Sequence, residues 1–161
     1  LATLNLTTDV RTAVWRLVKA QLQADTVYDQ AGIRLLFLDG DPEAIRALDT
    51  LNGPALRFIP ASGNQSWFDE ASTNVNVIVY VEAYLSVPDV EDLMNLQGAL
   101  ETTLNSVYNT TLQSSLVAAG ASTGLILFSQ PLNPMAGQEG QDTSYRARGQ
   151  FVIEVRRPMI Y

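Results

Sequence analysis

Hydrophobic residues open the chain at intervals of three and four: Val10, Ala13, Val14, Leu17, Val18 and Leu22. Arg11, Arg16, Lys19 and Gln23 fall mostly opposite them. This spacing puts the apolar set on one face of a helix, and it predicts an amphipathic helix over 9–23. Thr8 or Asp9 can cap its start by accepting from exposed first-turn N–H groups. Trp15 lies off the stripe, on a flank that suits either a buried edge or a subunit contact. Gly32 then closes a turn, and Ile33 to Leu38 predicts a short strand. Asp41 as cap, with Pro42 at the first helical position, starts a second helix whose apolar face is Ala44, Ile45, Leu48 and Leu51. Asn52-Gly53-Pro54 ends it, and Ala55 to Ile59 predicts the next strand.

A period of two takes over further on. Val75, Val77, Val79, Val81, Ala83 and Leu85 share one face of a strand, while Asn76, Ile78, Tyr80, Glu82 and Tyr84 make a mixed, half-exposed second face. Pro88-Asp89 opens a long helix with Val90, Leu93, Leu96, Leu100, Leu104 and Val107 on its stripe. Gly98 inside that helix costs about 1 kcal/mol relative to Ala, which close packing onto a sheet would explain. A further helical piece is predicted over 111–118, ending at Gly120, and a strand over 124–129. The final strand runs over 145–157 and alternates Tyr145, Ala147, Gly149, Phe151, Ile153 and Val155 with a polar set. Residues 60–74 and 131–144 show no period and carry Gly, Pro, Asn, Gln and Ser, so both are expected as long loops. Trp67 and Phe68 sit in the first of them and need cover, from the domain or from a neighbour.

This order of elements predicts one α+β domain over 1–161: a mixed, mostly antiparallel sheet with helices packed on one face. The strand over 75–85, the long helix and the strand over 124–129 suggest a right-handed crossover, and the last two strands a long-tipped hairpin. A chain of 161 residues is long enough for a real core.

Composition narrows the function. Charged residues make up only 17% of the chain, so electrostatic protection against association is weak and subunit contacts are favoured. Net charge is −7 with 10 basic residues, which argues against sequence-specific binding to a nucleic-acid backbone. An acidic body past which DNA slides without sticking fits the same balance. With no Cys and no His there is no thiol nucleophile, disulfide, thiolate or imidazole metal site, nor the usual general base. No cofactor is expected. The first ten residues lack the pattern of a signal peptide, and no apolar run is long enough to span a membrane.

Candidate chemistry is thin. Asp39 and Asp41 could offer oxygens to a hard cation, but turn formation and helix capping account for them. Asp89, Glu91 and Asp92 gather at a helix start, where the helix dipole favours negative charge. A serine nucleophile would have to rely on Lys19, the only lysine. No phosphate loop, nucleophile elbow or dinucleotide fingerprint is present. An enzyme is therefore not expected. The one concentrated cationic feature is Arg146, Arg148, Arg156 and Arg157 on the last strand, balanced within the sheet by Glu82 and Glu154 or paired with an acidic patch of a neighbouring subunit.

The opening amphipathic helix, the strand from Val75 to Glu82, the Asp89-Val-Glu-Asp-Leu helix, the Ala118-Ala-Gly-Ala121 bend and the terminal run from Gly149 to Pro158 together resemble the tail terminator (tail completion) and related neck proteins of long-tailed bacteriophages. That resemblance covers most of the chain and rests on fold pattern. It implies a virion protein assembled in the host cytoplasm, whose copies close into a ring, expected to be a hexamer. The ring would cap the tail tube and join it to the head-side connector or stopper, with DNA passing through the lumen. The family offers no catalytic residues to carry over. The interface residues expected from the chain itself are Trp67, Phe68, Arg146, Arg148, Arg156 and Arg157. Two other roles remain open: another head–tail connector or minor tail protein, and a monomeric protein-binding module using the Trp67 segment.

Overall fold

The computed structural model describes residues 6, 9–38, 54–67, 70–85, 90–105, 123–134 and 145–158. The helix expected after Asp41, the helical piece over 111–118, Asp39, Asp41, Phe68 and the Pro88-Asp89 start signal lie outside them.

The first helix, α1 (Val10–Ala24), begins where the sequence capping signal places it: the Asp9 carboxylate accepts from the Arg11 backbone N–H at 3.1 Å. Its stripe is fully committed to the core, with Val10, Val14, Val18 and Leu22 at most 1% exposed. Each such side chain contributes roughly 1.5–3 kcal/mol by leaving water. Trp15 is 9% exposed and meets the Phe37 ring edge-on at 5.9 Å, so it closes the border of the core. Lys19 Nζ lies 5.5 Å from the centre of the same Phe37 ring. Asp25 ends α1 and its carboxylate accepts from Val27 N–H, which turns the chain into the one-turn helix α2 (Val27–Gln30). Gly32 (φ +73°) follows, with Gly32 N–H bonded to Asp29 O and Ile33 N–H to Tyr28 O. That pair of bonds needs a left-handed residue, which glycine supplies without a Cβ clash.

Five strands form one sheet in the order β1-β2-β3-β5-β4: β1 (Arg34–Phe37), β2 (Ala55–Trp67), β3 (Ser72–Leu85), β4 (Thr123–Pro134) and β5 (Tyr145–Pro158). The pair β1/β2 is parallel and the other three pairs are antiparallel. Because β3 and β4 are each antiparallel to β5, they run parallel to one another on either side of it. Helix α3 (Val90–Asn105) lies between them in sequence, so the expected crossover and the expected β4/β5 hairpin pairing are both present. The α+β class and the mostly antiparallel mixed sheet hold.

The main core is a layer between one sheet face and the helices. It joins α1, Tyr28 and the α3 stripe Leu93, Leu96, Leu100 and Leu104 to Phe58, Phe151, Ile153, Val155 and the valines of β3. Phe37 and Phe58 stack across β1/β2 at 5.2 Å.

Three expectations need correction. Residues 60–74 are not an irregular loop: β2 continues to Trp67 and β3 starts at Ser72, so the segment is most of a long hairpin. The period fails there because the register slips between Ser62 and Gln65, leaving Gly63 and Asn64 opposite Asn76 in a bulge. Pro60 is tolerated because β1 pairs only as far as Phe58, beyond which β2 has no further partner on that side among the described residues. Likewise β4 does not stop at 129 but runs on through Pro131 to Pro134. It is the outermost strand, and its register shifts between Phe128 and Asn133, conditions under which proline fits. Gly98 is a third correction. It sits on the exposed side of α3 with nothing within 4 Å of where a Cβ would stand, so no sheet contact requires it. Nothing in the structure explains that glycine.

Candidate functional site

The sheet face away from the helices collects the polar half of each strand pattern. Register aligns its residues in rows across the strands. One row is Arg57, Glu82 and Arg148; the next is Ile59, Tyr80 and Gln150; the next is Ala61, Ile78 and Val152. Asn76 pairs with Glu154, and Asn74 with Arg156. Two largely apolar rows therefore lie between the Arg57, Glu82 and Arg148 row and the Asn76 and Glu154 pair, with Arg156 beyond and Tyr80 36% exposed in the middle. One corner of this face is closed, because Leu36, Ala55 and Tyr84 are buried together with Leu38 against them.

Electrostatics within the first row decide where charge is left over. Arg57 Nη2 lies 2.6 Å from Glu82 Oε2, both groups being largely shielded from water. Glu82 is thus committed to Arg57, and the exposed Arg148 beside it on β5 adds cationic charge to the row. Across the face, Arg34, Arg57, Arg148 and Arg156 stand against Glu82 and Glu154.

The residues singled out from the sequence separate into two groups. Arg156 and Arg157 lie at one end of β5, and Arg146 and Arg148 at the other. Eight residue steps of strand from Arg148 to Arg156 span about 26 Å, so the four arginines are not one patch. Alternation further divides the pair at the first end, since Arg156 shares the open face while Arg157 belongs to the opposite parity. Trp67 comes to that same end: its row is Trp67, Thr73 and Arg157. The sequence brought these residues together only by type; the sheet places Trp67 and Arg157 in one row on either side of Thr73 and leaves Arg146 and Arg148 remote.

A second feature, not foreseen, lies on the helical side. A cleft of about 290 Å³ opens between α2 and α3, lined by Val27, Tyr28, Leu85, Leu96 and Ala99 with Asp92 and Asn95 at its polar border. Exposed Val27 stands at its edge. Helices α2 and α3 carry Asp29, Glu91, Asp92 and Glu101 and no basic residue.

Beneath the cleft runs a buried hydrogen-bond chain. The Tyr28 hydroxyl is 2.8 Å from Thr103 Oγ1, which lies 2.8 Å from Asp25 Oδ2 and 2.9 Å from Ala99 O. Thr103 has one proton, so it donates either to Asp25 or to Ala99 O while Tyr28 donates to it. Burial pushes the Tyr28 phenol up to about 12, the Thr103 bond opposing and the Asp25 charge adding to the shift. A phenol that keeps its proton in this way can go on donating to Thr103, so it fastens the α1/α2 corner to α3. The sequence signal was a threonine at position 103, flanked by the core leucines Leu100 and Leu104.

Among the described residues no group of three or more Asp, Glu, His or Cys comes together as a metal site. Among the same residues no helix is long and apolar enough to cross a membrane.

No family model matches the chain, and no curated protein matches it. Among solved structures, a chain from the virion of a native gene transfer agent particle superposes with a TM-score of 0.36 and 12% identity, covering 98% of this chain and 100% of that one. A second solved chain reaches a TM-score of 0.32, also at 12% identity, over 91% of this chain and 96% of that one. Likenesses this loose carry no argument about role.

Proposed function

We propose that the chain is a structural virion protein of the tail terminator kind, whose copies close into a ring that caps the tail tube and meets the head-side connector. The observation that carries this reading is the open sheet face: tyrosine and branched aliphatic side chains set among arginines, on a subunit with little charge elsewhere to keep copies apart. Tyr and Arg are the residue types most enriched where protein surfaces bind each other. The stretches that resemble tail terminators, Val75–Glu82 and Gly149–Pro158, form the two central neighbouring strands, with α3 following the first. In this reading the ring number is six, the chain performs no chemistry, and DNA passes without sequence-specific contact, as its net charge of −7 favours. The loose likeness to a virion chain is in keeping with the proposal but does not support it.

The test is the mass of the purified protein by light scattering over a hundredfold range of concentration. A discrete ring mass, or a shift toward one as concentration rises, supports the proposal. A monomer throughout, joined with failure to bind isolated tail tubes, overturns it in favour of a stand-alone binding module.

A further inference from the structure

Two surfaces of this subunit are complementary in both charge and apolar character. On the helical side, the cleft between α2 and α3 is apolar within, with Asp92 and Asn95 at its polar border, and neither helix carries a basic residue. At about 290 Å³ it is at the bottom of the range for small-molecule pockets, so it suits inserted side chains better than a cofactor. On the sheet side, Tyr80, Ile78 and Val152 lie between the row of Arg57, Glu82 and Arg148 and the pair Asn76 and Glu154, with Arg156 one row further out. Glu82 is engaged by Arg57, so it does not cancel the exposed Arg148.

The two surfaces lie on different layers of the subunit, one among helices and one on the far face of the sheet. A surface that fits a different surface of an identical copy makes a heterologous contact, and such contacts close into rings when the rotation allows. We infer that the cleft between α2 and α3, with Asp92 on its border, receives the Arg148 end of the open sheet face of a second copy of this chain, with Asp92 facing the neighbour's Arg148 side. The inference rests on the ring reading and adds to it which two faces meet.

Charge exchange at two exposed positions tests it. Asp92→Arg makes both surfaces of a subunit basic, and Arg148→Glu makes both acidic. Each variant alone should associate at least about tenfold more weakly than the wild type, because like charges then face each other at every contact. An equimolar mixture of the two should recover the wild-type ring mass, since alternating subunits restore an opposite pair at every contact. Recovery also shows that both variants fold. The pairing of these faces is overturned if either variant alone assembles like the wild type, or if the mixture stays dissociated while both variants keep the wild-type circular dichroism spectrum. A wild type that never assembles removes the ring reading and this contact together; a wild-type ring indifferent to the exchanges removes only the contact.

Discussion

The two faces of β3 come from the same fourteen residues and could hardly differ more. On the helix-covered face Val75, Val77, Val79, Val81 and Ala83 are at most 2% exposed. On the other, Asn76, Ile78, Tyr80 and Glu82 keep part of their surface in water. Apart from buried Thr73, the covered face is apolar because it must fill a layer under α1 and α3, where an unpaired polar group would cost roughly 1–3 kcal/mol. Beyond the corner where Tyr84 is buried with Leu36 and Ala55, the open face has no such duty. It can hold tyrosine, isoleucine, arginine and glutamate in one patch, and a mixed composition of that kind serves recognition. Stability is therefore concentrated on one side of the sheet and binding capacity on the other.

The sharpest way to break that division is a large substitution in the covered layer. Phe58 is fully buried and stacked on Phe37. Phe58→Ala should cost about 4 kcal/mol in urea unfolding and leave no folded subunit to assemble if total stability is modest.

A smaller effect on the same side comes from the polar fastener. Tyr28→Phe removes the 2.8 Å bond to Thr103 and should cost about 1 kcal/mol near neutral pH. The pH dependence has a definite sign. The folded Tyr28 pKa of about 12 exceeds its ordinary value of 10.0, so its contribution is fully present below pH 10 and is lost as pH rises toward 12. Thermal melts of the wild type should fall more steeply across that window than those of Tyr28→Phe. Equal slopes would remove Tyr28 as the source.

On the outward side of α3, Gly98→Ala should raise subunit stability by about 0.5–1 kcal/mol, because the added methyl meets nothing within 4 Å and the helix gains a better former. A loss of stability there would mean the glycine answers to something outside the described residues. The smallest effect on the isolated subunit belongs to the open face. Tyr80→Thr keeps a strand-favouring residue and should change unfolding free energy by less than about 0.5 kcal/mol, while lowering self-association measured by sedimentation. Equal damage to both would erase the contrast between the faces.

Much of this layout is legible in the sequence where periodicity is strong. The α1 stripe, the Asp9 cap, the alternation of β3 and the α3 leucines translate directly into burial, because each pattern has one period and one partner surface. Legibility fails where a strand is irregular. The bulge at Gly63 and Asn64 breaks the alternation of β2, and the prolines of β2 and β4 read as stops although both strands continue through them. For the candidate site the sequence supplied residue types without position. Arg146, Arg148, Arg156 and Arg157 look like one cluster along the chain, yet extension of β5 separates them by most of the sheet's length.

By itself, then, the sequence determined the α+β class, the two-faced character of the central strands, and the lack of Cys and His. These follow from local spacing and composition, which need no knowledge of neighbours. Only the tertiary structure decided that Glu82 answers to Arg57 and leaves Arg148 in excess, that Trp67 shares a row with Arg157, and that α2 and α3 leave a cleft between them with Asp92 on its border. Each of those depends on strand register or on packing between segments far apart in the chain. Register is set by the whole sheet at once, and no single stretch of residues contains it.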